Sequence, residues 1–233
     1  IIDQVPQEKV IELIGKPAAA TGKTVAIIGA GPAGLTAAFD LARLGHAVTV
    51  YEAQAAGGGM TRYGIPEYRL PYDALDRDIA VITAMGVEIK YNQRVGTDIA
   101  MQQLEADYDA VVLAIGLHQG RSTRIPGSDH PQVRKAVDLL RQITAGETID
   151  VPKSMVVIGG GNVAMDIARS MARLQLQQYG EIRVTLTALE DKAHFLADPV
   201  EIKESLEEQI NILDSRGPQA CVIDDNGKLL GLK

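Results

Sequence analysis

Apolar runs alternate with stretches of helical period along this chain, and one arrangement of them occurs twice. Residues 25–28 form a short run rich in β-branched side chains, the pattern of a parallel strand buried on both faces. Leu35, Ala38, Phe39 and Ala42 follow at helical spacing, Gly45 and His46 end that helix, and residues 47–51 predict a second strand. The plan returns at residues 155–158, a strand. Residues 164–174 then predict a helix with Ile167, Ala168 and Met171 inward, a polar link spans 175–181, and a strand spans 182–188.

The rest of the chain fills in around these two units. Residues 1–14 predict a short helix with Val10, Ile11 and Ile14 on one face, and 15–22 a Gly/Pro/Ala linker. Residues 72–85 predict a helix ended by Gly86, and 87–91 a strand. Val95 begins a return segment, 99–105 a short helix, and 109–115 a strongly apolar strand ending at Gly116. A loop at 121–131 is the expected crossover between domains, and 132–143 predict a helix. Residues 201–209 predict another, and 220–232 a β-hairpin around Asn226-Gly227. The expected division is 1–21 for helix and linker, 22–130 for a first dinucleotide domain and 131–233 for a second.

The turns after the two leading strands carry the candidate chemistry. Gly29, Ala30, Gly31, Pro32, Ala33 and Gly34 fit G-x-G-x-x-G. In such a turn the first glycine permits the tight bend and the second lets a pyrophosphate approach the backbone. The third lets helix and strand pack closely, and the helix N-terminus faces the phosphates with free N–H groups. Glu52, at the end of the second strand with Ala53 after it, can accept hydrogen bonds from ribose hydroxyls. Gly159, Gly160, Gly161, Asn162, Val163 and Ala164 repeat the turn in its G-x-G-x-x-A form, with Glu190 just beyond the following strand.

Between them, residues 54–71 read QAAGGGMTRYGIPEYRLP. Three consecutive glycines let backbone lie close to a ligand, while Arg62 and Arg69 either pair with phosphate or make ordinary salt bridges. In a doubly wound sheet ligands sit at the carboxyl ends of the strands, which places residues 114–116 at a cofactor.

Composition narrows the classes. The 233 residues are 46% hydrophobic and 23% charged, ordinary for a globular chain of two modest domains. No apolar run reaches membrane-spanning length, so no membrane span is expected. A net charge of −7, spread along the chain, argues against nucleic acid as a partner. The single cysteine, Cys221, excludes a disulfide, a CxxC redox pair or an all-cysteine iron–sulfur site within this sequence, and a cytoplasmic setting is the simplest expectation. His118 and His194 each stand alone and read as structural. Asp73, Asp76 and Asp78 suit a helix start, so no metal site is expected. A start at Ile1 and an end on a strand-like segment lead us to expect a piece of a longer protein.

Two dinucleotide turns in one chain imply two dinucleotides that exchange a hydride, a chemistry the cofactors carry, so no catalytic side chain is assigned. The motifs VAIIGAGPAGLTAA, GGGMTRYGIPEYRLP, LAIGLHQGR and VVIGGGNVAMDIA cover most of residues 22–210. On them the chain resembles the glutamate synthase small-subunit family of FAD-dependent NAD(P)H oxidoreductases, within the pyridine nucleotide-disulfide oxidoreductase superfamily. It is similar also to the flavin module of dihydropyrimidine dehydrogenase. The resemblance implies an α/β fold of two Rossmann-like domains, the FAD domain lacking its C-terminal part.

It implies that residues 29–34 and Glu52 hold FAD. Gly58, Gly59, Met60 and Arg69 would lie along the flavin or its phosphates, Val95 beside the adenine, and Ala114 and Gly116 near the middle of FAD. Residues 159–163 would hold the nicotinamide coenzyme. Iron–sulfur clusters would sit on a preceding domain or a partner, and an electron-exchanging protein subunit would be the partner. NADPH-using members of the family it resembles commonly carry Tyr-Arg-Arg where this chain has Ala188-Leu189-Glu190. A carboxylate there favours NADH over NADPH. The competing reading is a non-catalytic dinucleotide-binding or scaffold piece without flavin.

Overall fold

The computed structural model describes residues 5–233 and divides into two compact units, one ending at His118 and one spanning Gln119–Lys233. The expected helix over 1–14 appears as α1 (Gln7–Ile14), residues 1–4 lying outside the described residues.

The first unit is built on β1 (Thr24–Ile28), β2 (Ala47–Tyr51), β3 (Glu88–Lys90) and β4 (Ala110–Leu113), all parallel in the order β3-β2-β1-β4. β1 reads as a continuous apolar run because both its faces are covered. Val25 and Ile27, with Val48 and Val50, pack against α2 (Pro32–Arg43) and α4 (Tyr72–Ala84). Ala26, Ile28 and Tyr51 pack with Leu104 of α5 (Met101–Asp107). Asp109 anchors β4 beside β1: its carboxylate accepts from the Thr24 amide at 2.8 Å and from Lys23 Nζ at 2.7 Å. Those bonds hold the Asp109 carboxyl down at about 2. The three-glycine segment holds one further turn of helix, α3 (Met60–Tyr63).

The second unit has β5 (Met155–Ile158), β6 (Val184–Thr187) and β7 (Asn211–Leu213) in parallel order β5-β6-β7. It also has an antiparallel hairpin of β8 (Cys221–Ile223) and β9 (Leu229–Leu232). Its core lies between the sheet and α6 (Ala136–Thr144), α7 (Asn162–Tyr179) and α8 (Pro199–Glu207).

Three differences from the sequence expectation have physical causes. α7 runs to Tyr179 instead of stopping at 174, so the polar link is mostly helix. Gln175 is fully buried, with Nε2 donating to Pro152 O and Oε1 accepting from Arg183 N, both at 2.7 Å, and Gly180 in left-handed conformation makes the stop. α6 starts at Ala136, because the residues before it turn around His130, which accepts the Gln132 amide and bonds Gly227 O. The loop at 121–131 belongs with the second unit rather than closing the first: Pro126 O accepts the Cys221 amide at 2.9 Å, tying the loop to the hairpin. β7, three residues long, lies in a stretch that the hydropathy pattern leaves unassigned.

Candidate functional site

The glycine turn of the first unit sits at the carboxyl end of β1. Gly29 has φ +104, and a methyl group there would come within 2.5 Å of the Ala114 carbonyl oxygen. A methyl at Gly34 would overlap the Gly29 carbonyl, so α2 can lie on β1 only with glycine at that position. Gly31 differs from both. Its φ is −79, and a methyl there would meet only Gly59 Cα, at an ordinary 3.8 Å. The packing of this chain therefore does not demand glycine at 31; a ligand against the backbone would. Gly31 is the N-cap of α2, without a side-chain cap, and Leu35 N closes the first helical bond to its carbonyl at 2.9 Å. The amides of Ala33 and Gly34 precede that bond and have no helical acceptor, while Pro32 and Ala33 are exposed.

Glu52 is buried, 7% exposed, at the end of β2. Its carboxylate accepts the Ala30 amide at 2.7 Å through Oε2 and the Gln54 amide at 2.8 Å through Oε1. It thus braces the glycine turn from below, a structural role the sequence does not announce, with lone pairs left for other donors. Ala53 follows, half-buried.

The three-glycine loop lies on this turn. Gly58 N donates to Ala30 O at 2.7 Å, and a methyl at Gly59, φ +54, would press to 2.7 Å from Gly31 Cα. Met60 opens α3 directly behind Gly59. Arg62 is not held out for a phosphate: its Nε donates to Gly57 O at 2.6 Å, its guanidinium pairs with Asp76, and it stacks 5.1 Å from the Tyr72 ring. Tyr63 and Tyr91 complete the loop's support, and burial pushes both phenols up in pKa. These aromatic props are missed by sequence reading, for which a tyrosine in a loop carries no periodic signal. Arg69 stands half-buried after the turn at Pro66. Val95 pairs with Ile99 and packs on the β1 face opposite α2. Ala114 N bonds Ile28 O at 2.9 Å, beside the turn, and Gly116, φ +66, is exposed beyond β4.

The second unit repeats the construction. Gly159, φ +137, bends the chain after β5. A methyl at Gly159 would meet at 3.4 Å the Cβ of Ala164, the third small residue of this turn. Gly161, φ −100, caps α7 without a side-chain cap, and a methyl there would meet nothing within 4 Å. Gly160 is buried beneath Ala188, Glu190 and Phe195, and the Glu190 Oε2 atom lies 3.2 Å from where its Cβ would stand. Asn162 and Val163 are exposed on the first turn of α7. Asn162 Oδ1 accepts the Asp198 amide at 2.8 Å, and Ala197 N bonds Gly160 O at 3.0 Å, so the loop after β6 is clasped to the glycine turn. Behind it, buried Arg169 of α7 pairs with Glu201, Glu204 and Glu208 of the α8 region at 2.6, 2.7 and 2.8 Å. Burial raises the Glu208 pKa, but Arg173 and Arg169 outweigh it and hold the group down.

A family model described as pyridine nucleotide-disulphide oxidoreductase matches residues 23–212. The chain belongs to this family. Among relatives of this family member, the NAD-dependent dihydropyrimidine dehydrogenase subunit PreT of Escherichia coli O157:H7 is 42% identical over 208 residues, 89% of this chain and 49% of that protein. The glutamate synthase [NADPH] small chain of Escherichia coli K12 is 35% identical over 224 residues, 91% of this chain and 46% of that one. This pyridine nucleotide-disulphide oxidoreductase chain thus spans about half the length of the curated relatives it matches. The NADPH complex of Mycobacterium tuberculosis FprA shares its fold, with a TM-score of 0.74 at 18% identity, covering 91% of this chain and 66% of that one. Among the described residues no helix is long and apolar enough to cross a membrane, and no group of three His, Cys, Asp or Glu side chains could hold a metal ion.

Proposed function

We propose that this chain is the dinucleotide-binding part of a flavin-linked NAD(P)H oxidoreductase, FAD held by the first unit and the nicotinamide coenzyme by the second. The carrying observation is the pair Gly31 and Gly161. Both are N-caps at uncapped helix starts, and at both a methyl group would find no obstacle in the chain itself. The space kept free there is the space a pyrophosphate needs. Residues 29–34, Glu52 and Gly58–Met60 would hold FAD, with Arg69, Val95, Ala114 and Gly116 further along it; residues 159–163 and Glu190 would hold the coenzyme. When bound, the two groups supply hydride exchange between nicotinamide and flavin. The chain's own contribution is binding, orientation and a rigid backbone around each pyrophosphate.

Glu190 favours NADH: its carboxylate lies beside the second turn, suits ribose hydroxyls and repels a 2′-phosphate. The names of the relatives, one NAD-dependent and one NADPH-linked, support a nicotinamide coenzyme without choosing between them. Named as a subunit and a small chain, they also support a protein partner; that this partner exchanges electrons, through iron–sulfur clusters of its own or of a further domain, is part of the same proposal. The test is the visible spectrum of the purified chain after incubation with FAD. Bound flavin bands that bleach anaerobically on adding NADH are expected; a colourless chain that FAD does not reconstitute would favour the scaffold reading.

A further inference from the structure

The loop after β7 brings a cation to the same strand end that presents Glu190. Ser215 N donates to Glu190 O at 2.9 Å, Arg216 N donates to Ala188 O at 2.8 Å, and Thr187 Oγ1 donates to Arg216 O at 2.8 Å. Ser215 turns the chain with φ +55, and Gly217 follows so close to Leu189 that a methyl there would reach 2.5 Å from its Cδ2. The backbone of Arg216 is thereby fixed against residues 187–190, while its side chain is exposed. Among the described residues its guanidinium makes no hydrogen bond or ion pair, not even with Glu190. A residue with five N–H donors and a permanent charge is thus anchored by its backbone at the strand end that presents Glu190, the residue that would meet the adenosine ribose.

We infer that Arg216 is a second coenzyme-specificity residue: a 2′-phosphate receptor that Glu190 masks. The inference rests on the coenzyme reading of the second glycine turn. A phosphate on the ribose meets one carboxylate and one guanidinium at this strand end, and the two act with opposite sign. With Glu190 ionised the repulsion offsets the attraction, and a ribose with free hydroxyls is preferred. With Glu190 neutralised the guanidinium acts alone and can pair with phosphate in its forked geometry. Coenzyme choice in this chain would therefore be set by two residues on different loops, one after β6 and one after β7, and a single substitution would suffice to change it.

The test measures NAD+ and NADP+ binding by calorimetry to the whole chain and to Glu190→Gln, Arg216→Ala, Arg216→Lys, Glu190→Gln/Arg216→Ala and Glu190→Gln/Arg216→Lys variants. Thermal melts confirm that each is folded. Glu190→Gln is expected to tighten NADP+ by about tenfold relative to NAD+. Adding Arg216→Ala should abolish that gain, and Arg216→Lys should keep part of it. The gain should shrink as salt is raised. If Glu190→Gln/Arg216→Ala binds NADP+ as well as Glu190→Gln does, or if Glu190→Gln brings no gain, the role assigned to Arg216 is overturned while the coenzyme site stands. If neither nucleotide binds any variant, the coenzyme reading of the turn fails, and the assignment of Arg216 fails with it.

Discussion

Glu52 Oε2 accepts the backbone amide of Ala30 at 2.7 Å, so the acid at the end of β2 holds the middle of the glycine turn at the end of β1. The same carboxylate accepts the Gln54 amide at 2.8 Å. Replacing Glu52 by Ala leaves both N–H groups without their acceptor in a buried setting. The expected cost is about 3 kcal/mol, seen as a lower denaturant midpoint of the first unit. An unchanged midpoint would mean that solvent replaces the carboxylate and that the turn does not depend on it.

Gly34 and Gly161 should respond oppositely to the same added methyl. Gly34→Ala drives Cβ into the Gly29 carbonyl and should cost about 3 kcal/mol, read as loss of thermal stability. Gly161→Ala meets nothing within 4 Å at φ −100 and should melt as the wild type does or slightly higher. A Gly161→Ala protein that is strongly destabilised would show that the position is constrained by the fold and not by a ligand.

Arg169 and Glu201 are a buried pair, with side chains 4% and 9% exposed, and they fasten α8 to α7. Arg169→Ala strands a carboxylate in the interior and should destabilise the second unit by about 3–5 kcal/mol in urea titration. Glu204→Gln, at the more exposed rim of the same cluster, should cost under about 1 kcal/mol.

Asp109 makes stability depend on acid. Its carboxyl is about 2 in the folded chain, below its ordinary 3.8, first because Lys23 hydrogen-bonds it and then because the Thr24 amide does. A carboxylate lowered by folding stabilises above its unfolded pKa and loses that contribution as the pH falls through the folded value. Asp109→Asn should therefore reduce the difference in stability between pH 5 and about pH 2. The effect should be modest and salt-sensitive, since the pair is exposed to solvent. Acid titration followed by circular dichroism at low and high salt checks it.

Much of this was legible because the apolar pattern and the glycine spacing point the same way. β1, β2 and β5 lie where the runs predict them, and both glycine turns end those runs. What was not legible depends on contacts distant in sequence. Gln175 looks polar and loop-like until Pro152 and Arg183 bury it with both its amide groups satisfied. Arg62 reads equally as a phosphate ligand or a salt-bridge partner, and only the approach of Gly57 and Asp76 decides for the second. Asn162, in the middle of the second glycine turn, spends its side-chain oxygen on Asp198. Arg216 carries no motif, and only the pairing of residues 215–216 with 188–190 brings it to the strand end.

The central claim, two separate dinucleotide cradles, is tested most directly by calorimetric binding of FAD and NAD+ to the wild-type, Gly31→Ala and Gly161→Ala chains. Both substitutions fit the fold, so each should remove one ligand only: Gly31→Ala weakens FAD and leaves NAD+ unchanged, and Gly161→Ala does the reverse. Wild-type binding of both ligands with that crossed pattern is the predicted result. If both ligands bind the two variants as they bind the wild type, or if one substitution abolishes both, the account is contradicted.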